Sequence, residues 1–219
     1  MPLPCDVIIF DCDGTLVDSE RLGHEVLVEH VAQHGLKLTV EDAMTRFRGI
    51  KMAESIAQLE ALLGRSLPDS FVPELRARMA QAFTARLQPV DGALELVRSL
   101  TLPFCVASSG PREKIELSLS VTGLLPYFTG RIFSSYEVGA WKPSPGLFIH
   151  TARAMNASPP HCLVIEDSLP GVEAGLAAGM QVVAYQPDAR DARIPPEVRA
   201  ISSLRDLPAL LDRGDDRSS

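Results

Sequence analysis

The sequence lacks the features that would direct it to a membrane, a nucleic acid or a secretory route. The N-terminus has no basic region followed by an apolar stretch, and no apolar run approaches the length of a membrane span. The net charge of −7 disfavours a nucleic-acid partner, because phosphate backbones bind basic faces. A phosphorylated small molecule is not excluded, since a few local cations suffice for one phosphate. We therefore expect a cytoplasmic enzyme that acts as a monomer on a small molecule.

Patterns for structural metals and disulfides are also scarce. His30 and His34 have the i,i+4 spacing that can bind zinc, but no third ligand is apparent, so we interpret them as a surface pair. The cysteines show no paired spacing, and most of them lie in or beside apolar runs, which predicts buried, reduced thiols. They are Cys5, Cys12, Cys105 and Cys162.

Short runs rich in valine, isoleucine or phenylalanine predict buried strands. Continuous apolar runs of this kind suit a parallel sheet that is covered on both faces. Helical stretches separate the runs, so the predicted fold is α/β, with a doubly wound parallel sheet. The predicted strands are Val7–Phe10, Phe104–Ala107, Leu163–Ile165 and Val182–Tyr185, with Arg131–Phe133 as a weaker fifth.

Residues 19–88 do not follow this alternation of strand and helix. They are predicted to form helices at Leu22–His34, Val40–Thr45, Met52–Leu63 and Phe71–Leu87, with no convincing strand among them. Because the segment lies between the first two strands, we interpret it as a helical cap domain inserted into a core domain of residues 1–18 and 89–219. The segments Thr15–Asp18 and Pro89–Gly92 would be its hinges.

Two aspartates follow the first predicted strand in the segment Asp11-Cys12-Asp13-Gly14-Thr15. Residues two apart on an extended chain point the same way, so both carboxylates are held at the carboxyl end of a buried strand. Open α/β sheets bind their ligands at that edge. Crowded carboxylates repel each other unless a cation joins them, which indicates a divalent-metal site as well as a pair of reactive groups.

Polar groups follow three further predicted strands. Ser108 and Ser109 lead into a helix opened by Pro111, where a hydroxyl and free backbone N–H groups can cradle a phosphate. Lys142 lies on a proline-stiffened loop, and Glu166 and Asp167 form a second acidic pair. Each feature alone has a plain structural explanation, as a cap or a solvated charge. All four occurring together predict one site.

With these motifs in place, the chain resembles the haloacid dehalogenase-like superfamily, in the helical-cap subfamily that contains β-phosphoglucomutase and many sugar-phosphate phosphatases. The resemblance covers nearly the whole chain. The cap segment 46–51 and the run Cys105–Pro111 are most similar to the branch of 6-phosphogluconate phosphatases. The motifs that carry the resemblance to the superfamily are Phe10 to Ser19, Val106 to Gly110, Trp141-Lys142-Pro143, and Ile165 to Ser168 with Gly171 and Ala174.

The resemblance implies a role for each motif residue. Asp11 would be the nucleophile and Asp13 the acid and then the base. Ser108, Ser109 and Lys142 would bind the phosphoryl group. Mg²⁺ would be held by the Asp11 and Asp167 carboxylates and the Asp13 carbonyl, with Glu166 in contact directly or through water. The implied activity is that of a Mg²⁺-dependent phosphatase for a small phosphorylated metabolite, such as a sugar phosphate or sugar-acid phosphate.

Several alternatives stay open at this stage. Asp13 disfavours a dehalogenase, which needs no acid for a leaving alcohol. A phosphomutase on the same site is possible, although Gly23 stands where the β-phosphoglucomutase pattern has a histidine that contacts the acid–base aspartate. A non-catalytic binding protein is a third option. In the cap, Arg48 and Lys51 are candidates for contact with the non-phosphate end of the substrate, or are solvated charges.

Overall fold

The computed structural model of the protein describes residues 5–188 and 191–211, and within them one six-stranded parallel sheet. The order of the strands is β3-β2-β1-β4-β5-β6. The five predicted strands and the doubly wound parallel sheet are confirmed. The sixth strand was not predicted, because it is three residues long and begins with an exposed arginine. The strands are β1 (Val7–Phe10), β2 (Phe104–Ser108), β3 (Ile132–Ser134), β4 (Cys162–Glu166), β5 (Gln181–Tyr185) and β6 (Arg199–Ile201).

Both faces of the sheet are buried, as the continuous apolar strands predict. Alternate residues of β1 enter two separate apolar clusters, with Ile8 and Phe10 on one face and Val7 and Ile9 on the other. Helices cover both clusters. They are α5 (Ala93–Ser99), α6 (Arg112–Val121), α7 (Leu125–Phe128), α8 (Ser135–Val138), α9 (Gly146–Ala154), α10 (Leu169–Ala177) and α11 (Leu207–Leu211), with short 3-10 helices at Pro159–His161 and Leu204–Asp206.

Four helices occupy the insertion between β1 and β2, and they share an apolar core of their own. The interpretation of His30 and His34 as a surface pair is wrong for His30. That ring is fully buried and stacks on Phe71 at a centroid distance of 4.4 Å. It is therefore part of the helical core. The four helices are α1 (Glu20–Ala32), α2 (Val40–Phe47), α3 (Met52–Leu63) and α4 (Phe71–Arg86).

The chain enters and leaves the helical insertion through two segments that pair with each other. Val17 and Pro89 form an isolated antiparallel bridge, and the Asp18 N–H donates to the Gln88 carbonyl at 3.0 Å. The base of the insertion is thereby held beside the carboxyl end of β1, where the aspartates lie. All four cysteines are buried, as predicted. Within the described residues, no helix is long and apolar enough to cross a membrane.

Candidate active site

The carboxyl end of β1 carries Asp11 and Asp13 into a sharp turn. Asp11 extends the register of the sheet, since its N–H donates to the Ile165 carbonyl of β4 at 2.9 Å. Gly14 has a φ of +79°, a conformation that strains other residues. A Cβ at this position would also lie 2.4 Å from a carboxylate oxygen of Asp167. Glycine therefore lets the β1 turn and the β4 loop approach each other closely.

Lys142 joins the ends of three strands through one buried ammonium group. Its Nζ donates to Asp11 Oδ1 at 2.5 Å, to Glu166 Oε1 at 2.5 Å and to the Ala107 carbonyl at 3.1 Å. Burial disfavours the charged form, but the carboxylates of Asp11 and Glu166 outweigh it and raise the pKa of Lys142 above its ordinary value. Lys142 is therefore charged and fixed in position.

The buried carboxylates Asp11, Glu166 and Asp167 crowd around one point, with one oxygen of each within 4.8 Å of the others. Burial raises the pKa of Asp11 well above its ordinary value, and the neighbouring carboxylates add to this against the opposing charge of Lys142. Burial, Glu166 and Glu20 raise the pKa of Asp167 to about 7. The Lys142 ammonium and the Arg48 guanidinium, which contacts Asp167, are two positive charges against three carboxylates. An all-oxygen donor set of this kind fits Mg²⁺.

Glu166 is held in place by its own loop. Its Oε2 accepts hydrogen bonds from the Ser168 N–H and hydroxyl, both at 2.9 Å, while Oε1 accepts from Lys142. Gly171, in the first turn of α10, makes room for it, since a Cβ there would lie 1.8 Å from Glu166 Oε1. Both carboxylate oxygens of Glu166 thus have partners within the chain, and one of those partners is Lys142.

Asp13 is separate from this cluster. Its Oδ1 accepts from the Ser19 hydroxyl at 2.6 Å and its Oδ2 accepts from Lys114 Nζ of α6 at 2.8 Å. Burial raises the pKa of Asp13, but the charge and hydrogen bond of Lys114 and the bond from Ser19 together bring it below its ordinary value. Sequence reasoning missed Lys114 and did not assign Ser19 a role, although Ser19 lies within the recognised motif.

The predicted phosphate cradle lies at the end of β2. Because Phe10 pairs with Val106, Ser108 comes beside the turn that follows β1. Ser108 is buried, and its hydroxyl oxygen accepts from the Gly110 N–H at 3.1 Å. Ser109 is half-buried at the same edge, just before Pro111 and the start of α6. The two serines thus occupy the edge of the sheet to which Asp11 and Lys142 belong.

Arg48, at the end of α2, reaches from the helical insertion into this site. Its guanidinium donates to Asp167 Oδ2 at 2.6 Å. A Cβ on the next residue, Gly49, would be 3.3 Å from the Ser168 side chain, so the insertion lies directly over the loop after β4. Lys51 is placed differently, with its Nζ 5.5 Å from the centre of the Trp141 ring. Of the two predicted cap residues, only Arg48 contacts the acidic cluster.

The chain is similar to known proteins in both sequence and structure. Residues 5–179 match the family model described as haloacid dehalogenase-like hydrolase. The chain is 35% identical to 6-phosphogluconate phosphatase of Escherichia coli (strain K12) over 94% of each protein.

Solved structures agree with these matches. A HAD family hydrolase from Deinococcus radiodurans R1 with bound phosphate and sodium has a TM-score of 0.78 and 31% identity, covering 95% of this chain and 96% of that one. A putative β-phosphoglucomutase from Thermotoga maritima has a TM-score of 0.71 and 27% identity, covering 90% and 92% of the two chains.

Proposed function

Since the chain belongs to the haloacid dehalogenase-like hydrolases and is a phosphoric monoester hydrolase, we propose that it hydrolyses a sugar phosphate or sugar-acid phosphate in a Mg²⁺-dependent reaction through an aspartyl-phosphate on Asp11. The observation that carries this proposal is the placement of Lys142. One buried ammonium touches both Asp11 and Glu166, beside Asp167. The carboxyl edge of the sheet thus brings together the proposed nucleophile, a cation that can neutralise phosphate and a set of carboxylates that can bind a metal.

In the first step, a carboxylate oxygen of Asp11 forms a bond to phosphorus as the bond from phosphorus to the ester oxygen breaks. Asp13, which must carry a proton at this step although Lys114 and Ser19 hold its pKa below its ordinary value, gives that proton to the departing alcohol oxygen. The hydrogen bonds from Ser19 and Lys114 fix the Asp13 side chain for this transfer. Ser108, through its hydroxyl, and Ser109, through its N–H, hold the oxygens of the phosphoryl group, and Lys142 neutralises their charge.

In the second step, Asp13, now a carboxylate, takes a proton from water. The resulting hydroxide forms a new bond to phosphorus, and the bond between phosphorus and Asp11 breaks. Inorganic phosphate leaves, and both aspartates return to their starting states. The alternation of Asp13 between acid and base therefore requires no other titrating group.

Electrostatic stabilisation must supply most of the rate. Phosphate monoesters are among the slowest esters to hydrolyse, with enzymatic accelerations up to about 10²¹, whereas one acid–base residue contributes about 10²–10⁴. The carboxylates of Asp11 and Asp167 and the Asp13 carbonyl would hold Mg²⁺, with Glu166 nearby. When bound, the ion neutralises developing negative charge on the phosphoryl oxygens.

The substrate class is inferred from the relatives and from the helical insertion. The relative from Escherichia coli is named for 6-phosphogluconate, a sugar-acid phosphate. Residues 19–88 would act as a cap over residues 1–18 and 89–219, and Arg48 and Lys51 would meet the non-phosphate end of the substrate. Arg48 already lies above the acidic cluster, which supports that role.

Phosphate release from a panel of phosphorylated metabolites and from p-nitrophenyl phosphate tests the proposal. We expect turnover with Mg²⁺, loss of turnover with EDTA, and inhibition by excess Ca²⁺, because calcium takes more ligands at longer distances. Full activity in metal-free buffer would contradict the metal assignment. A panel in which no sugar phosphate or sugar-acid phosphate is hydrolysed would contradict the substrate class.

A phosphomutase is the alternative that the same site allows, and the structure gives a reason against it. The mutase pattern has a histidine at the position of Gly23. The neighbouring His24 turns back to its own helix, where its Nδ1 lies 2.6 Å from the Glu20 carbonyl oxygen. With β-glucose 1-phosphate and a bisphosphate primer, ³¹P NMR should show inorganic phosphate at most. Steady accumulation of glucose 6-phosphate would make the enzyme a mutase.

A further inference from the structure

Glu20 is a carboxylate beside the site that the proposed mechanism does not use. It is the first residue of α1 and directly follows Ser19, whose hydroxyl holds Asp13. Its side chain is mostly buried, with 21% of its surface exposed. A largely buried carboxylate next to the acid–base aspartate needs a physical reason, because burial and nearby negative charge both disfavour it.

One oxygen of Glu20 lacks a partner. Within the residues that the structure describes, the buried Oε2 atom has no hydrogen bond. The ring nitrogen Nδ1 of His24 lies 3.9 Å away, beyond hydrogen-bond distance, and is occupied by the Glu20 carbonyl oxygen at 2.6 Å. A buried polar atom without a partner costs about 1–3 kcal/mol. A ligand that supplies a donor would remove this cost.

The surroundings of Glu20 indicate where such a ligand would lie. The charges that act on it include Asp13 and Glu166 from the core and Arg48 and Lys114 from the cap and α6. Because Ser19, the residue before Glu20, holds Asp13 through its hydroxyl, Glu20 lies beside the acid–base aspartate. The alcohol half of the ester must occupy this region, because Asp13 delivers a proton to its oxygen.

We propose that Glu20 determines specificity by hydrogen-bonding a hydroxyl group on the alcohol half of the substrate, which selects polyhydroxylated phosphate esters. This inference rests on the proposed phosphatase function and names the part of the substrate that is recognised. A hydroxyl suits Glu20 because it can donate to a carboxylate and can accept from a carboxylic acid. A second anionic group would be repelled by Glu20, so the acidic end of a sugar acid would face Arg48 instead.

The test compares Glu20→Met with Glu25→Met, a matched control on the same helix whose carboxylate pairs with Arg21 and Arg86 near the surface. The substrates are glucitol 6-phosphate, 6-phosphogluconate, phosphoethanolamine and p-nitrophenyl phosphate. We expect E20M to lower kcat/KM for the hydroxylated esters about 10- to 100-fold, the range for a hydrogen bond to a charged group. Turnover of p-nitrophenyl phosphate should be retained, which also reports correct folding, and E25M should match the wild type.

Three results would overturn the inference. Equal losses on hydroxylated esters and on p-nitrophenyl phosphate would assign Glu20 a structural role. A selective loss on phosphoethanolamine would make an ammonium group the recognised feature. If the wild type hydrolyses p-nitrophenyl phosphate but no hydroxylated ester, the proposed substrate class fails, and this inference fails with it. Should E20M not fold, E20Q replaces it, with an expected loss of about 3- to 10-fold confined to the same esters.

Discussion

Lys114 reaches Asp13 from α6, and the contact defines how the acid–base group is held. The ammonium is 2.8 Å from Asp13 Oδ2, while Ser19 holds the other oxygen. The two bonds leave the carboxylate little freedom to rotate. In the proposed mechanism, Asp13 presents the same group first to the leaving alcohol and then to water, so its orientation matters in both chemical steps.

We predict that Lys114→Met lowers kcat about 10- to 100-fold, part of the contribution of an acid–base residue, with little change in KM. Lys114 touches Asp13 rather than the phosphate site, so binding should be preserved. Lys37→Met, at an exposed position of the cap, is the control and should behave as the wild type. Steady-state kinetics with p-nitrophenyl phosphate measure both. A change in KM alone would show that Lys114 binds substrate instead of positioning Asp13.

Gly171 offers a second test at the residue scale. A methyl group there would overlap Glu166 Oε1 at 1.8 Å, so Gly171→Ala must displace Glu166 and with it the contact to Lys142. We expect G171A to lower kcat strongly. Gly23→Ala is the matched control, because a Cβ at that helical position has only the Met79 Cε within 4 Å, at 4.0 Å.

G23A should leave kcat unchanged and raise the free energy of unfolding by about 0.5–1 kcal/mol, the helical preference of alanine over glycine. Chemical denaturation and kinetics on both variants check this pair. A G171A enzyme with the kcat of the wild type would show that Glu166 does not need its observed position.

The sequence predicted the motif residues of the site but not the contact that Lys114 makes with Asp13. Asp11 and Asp167 directly follow buried strands, and Asp13 lies two residues beyond Asp11. The topology of a parallel sheet brings such positions to one edge. Lys114 lies 101 residues from Asp13 on a helix where a lysine is ordinarily solvated. Its approach depends on how α6 packs, which periodicity does not specify. His30 was misjudged for the same reason, since its burial depends on Phe71 of α4.

At the scale of elements, the loop between α2 and α3 connects the helical insertion to the candidate active site. Arg48 bonds to Asp167, whereas Lys51 lies over the Trp141 ring at the rim. These placements give the two cations different expected roles. A pair with the buried Asp167 is sensitive to what occupies the site. An exposed cation–π contact contributes about 0.5–1 kcal/mol.

We predict that Arg48→Ala raises KM for a sugar-acid phosphate more than for p-nitrophenyl phosphate, which has no second polar end. Lys51→Ala should have the smaller effect of the two. Parallel kinetics on both substrates measure the difference. Equal effects of R48A on both substrates would mean that Arg48 serves the stability of the cap or the general field of the site.

Sequence patterns also predicted most elements of the fold. Met52–Leu63 is a helix with the predicted bounds, and Val7–Phe10 is a strand with the predicted bounds. The β6 strand escaped prediction because Arg199 and Ala200 carry no β signal, and the strand exists through its pairing with β5. Local pattern therefore predicted the continuous apolar strands, and it missed β6, which depends on its pairing with β5.

For the whole molecule, the site lies where the carboxyl ends of β1, β2 and β4 meet the helical insertion. The ends of the strands and the loops after them place the carboxylates, the lysine and the serines of the candidate site, and the insertion supplies Arg48. The central claim is that phosphate passes through a covalent bond to Asp11. The roles proposed for Lys142, Asp13 and the acidic cluster depend on this claim, because each role is defined by its position relative to the Asp11 carboxylate.

Trapping the intermediate tests this claim most directly. Enzyme and substrate are mixed with Mg²⁺, quenched in acid within the first turnover, digested and analysed by mass spectrometry. We predict one phosphoryl group on Asp11 in the wild type. Asp11→Asn, which keeps the volume of the side chain, should carry none and should lose several orders of magnitude in turnover. A phosphoryl group on another residue, or an Asp11→Asn enzyme with substantial turnover, would contradict the account.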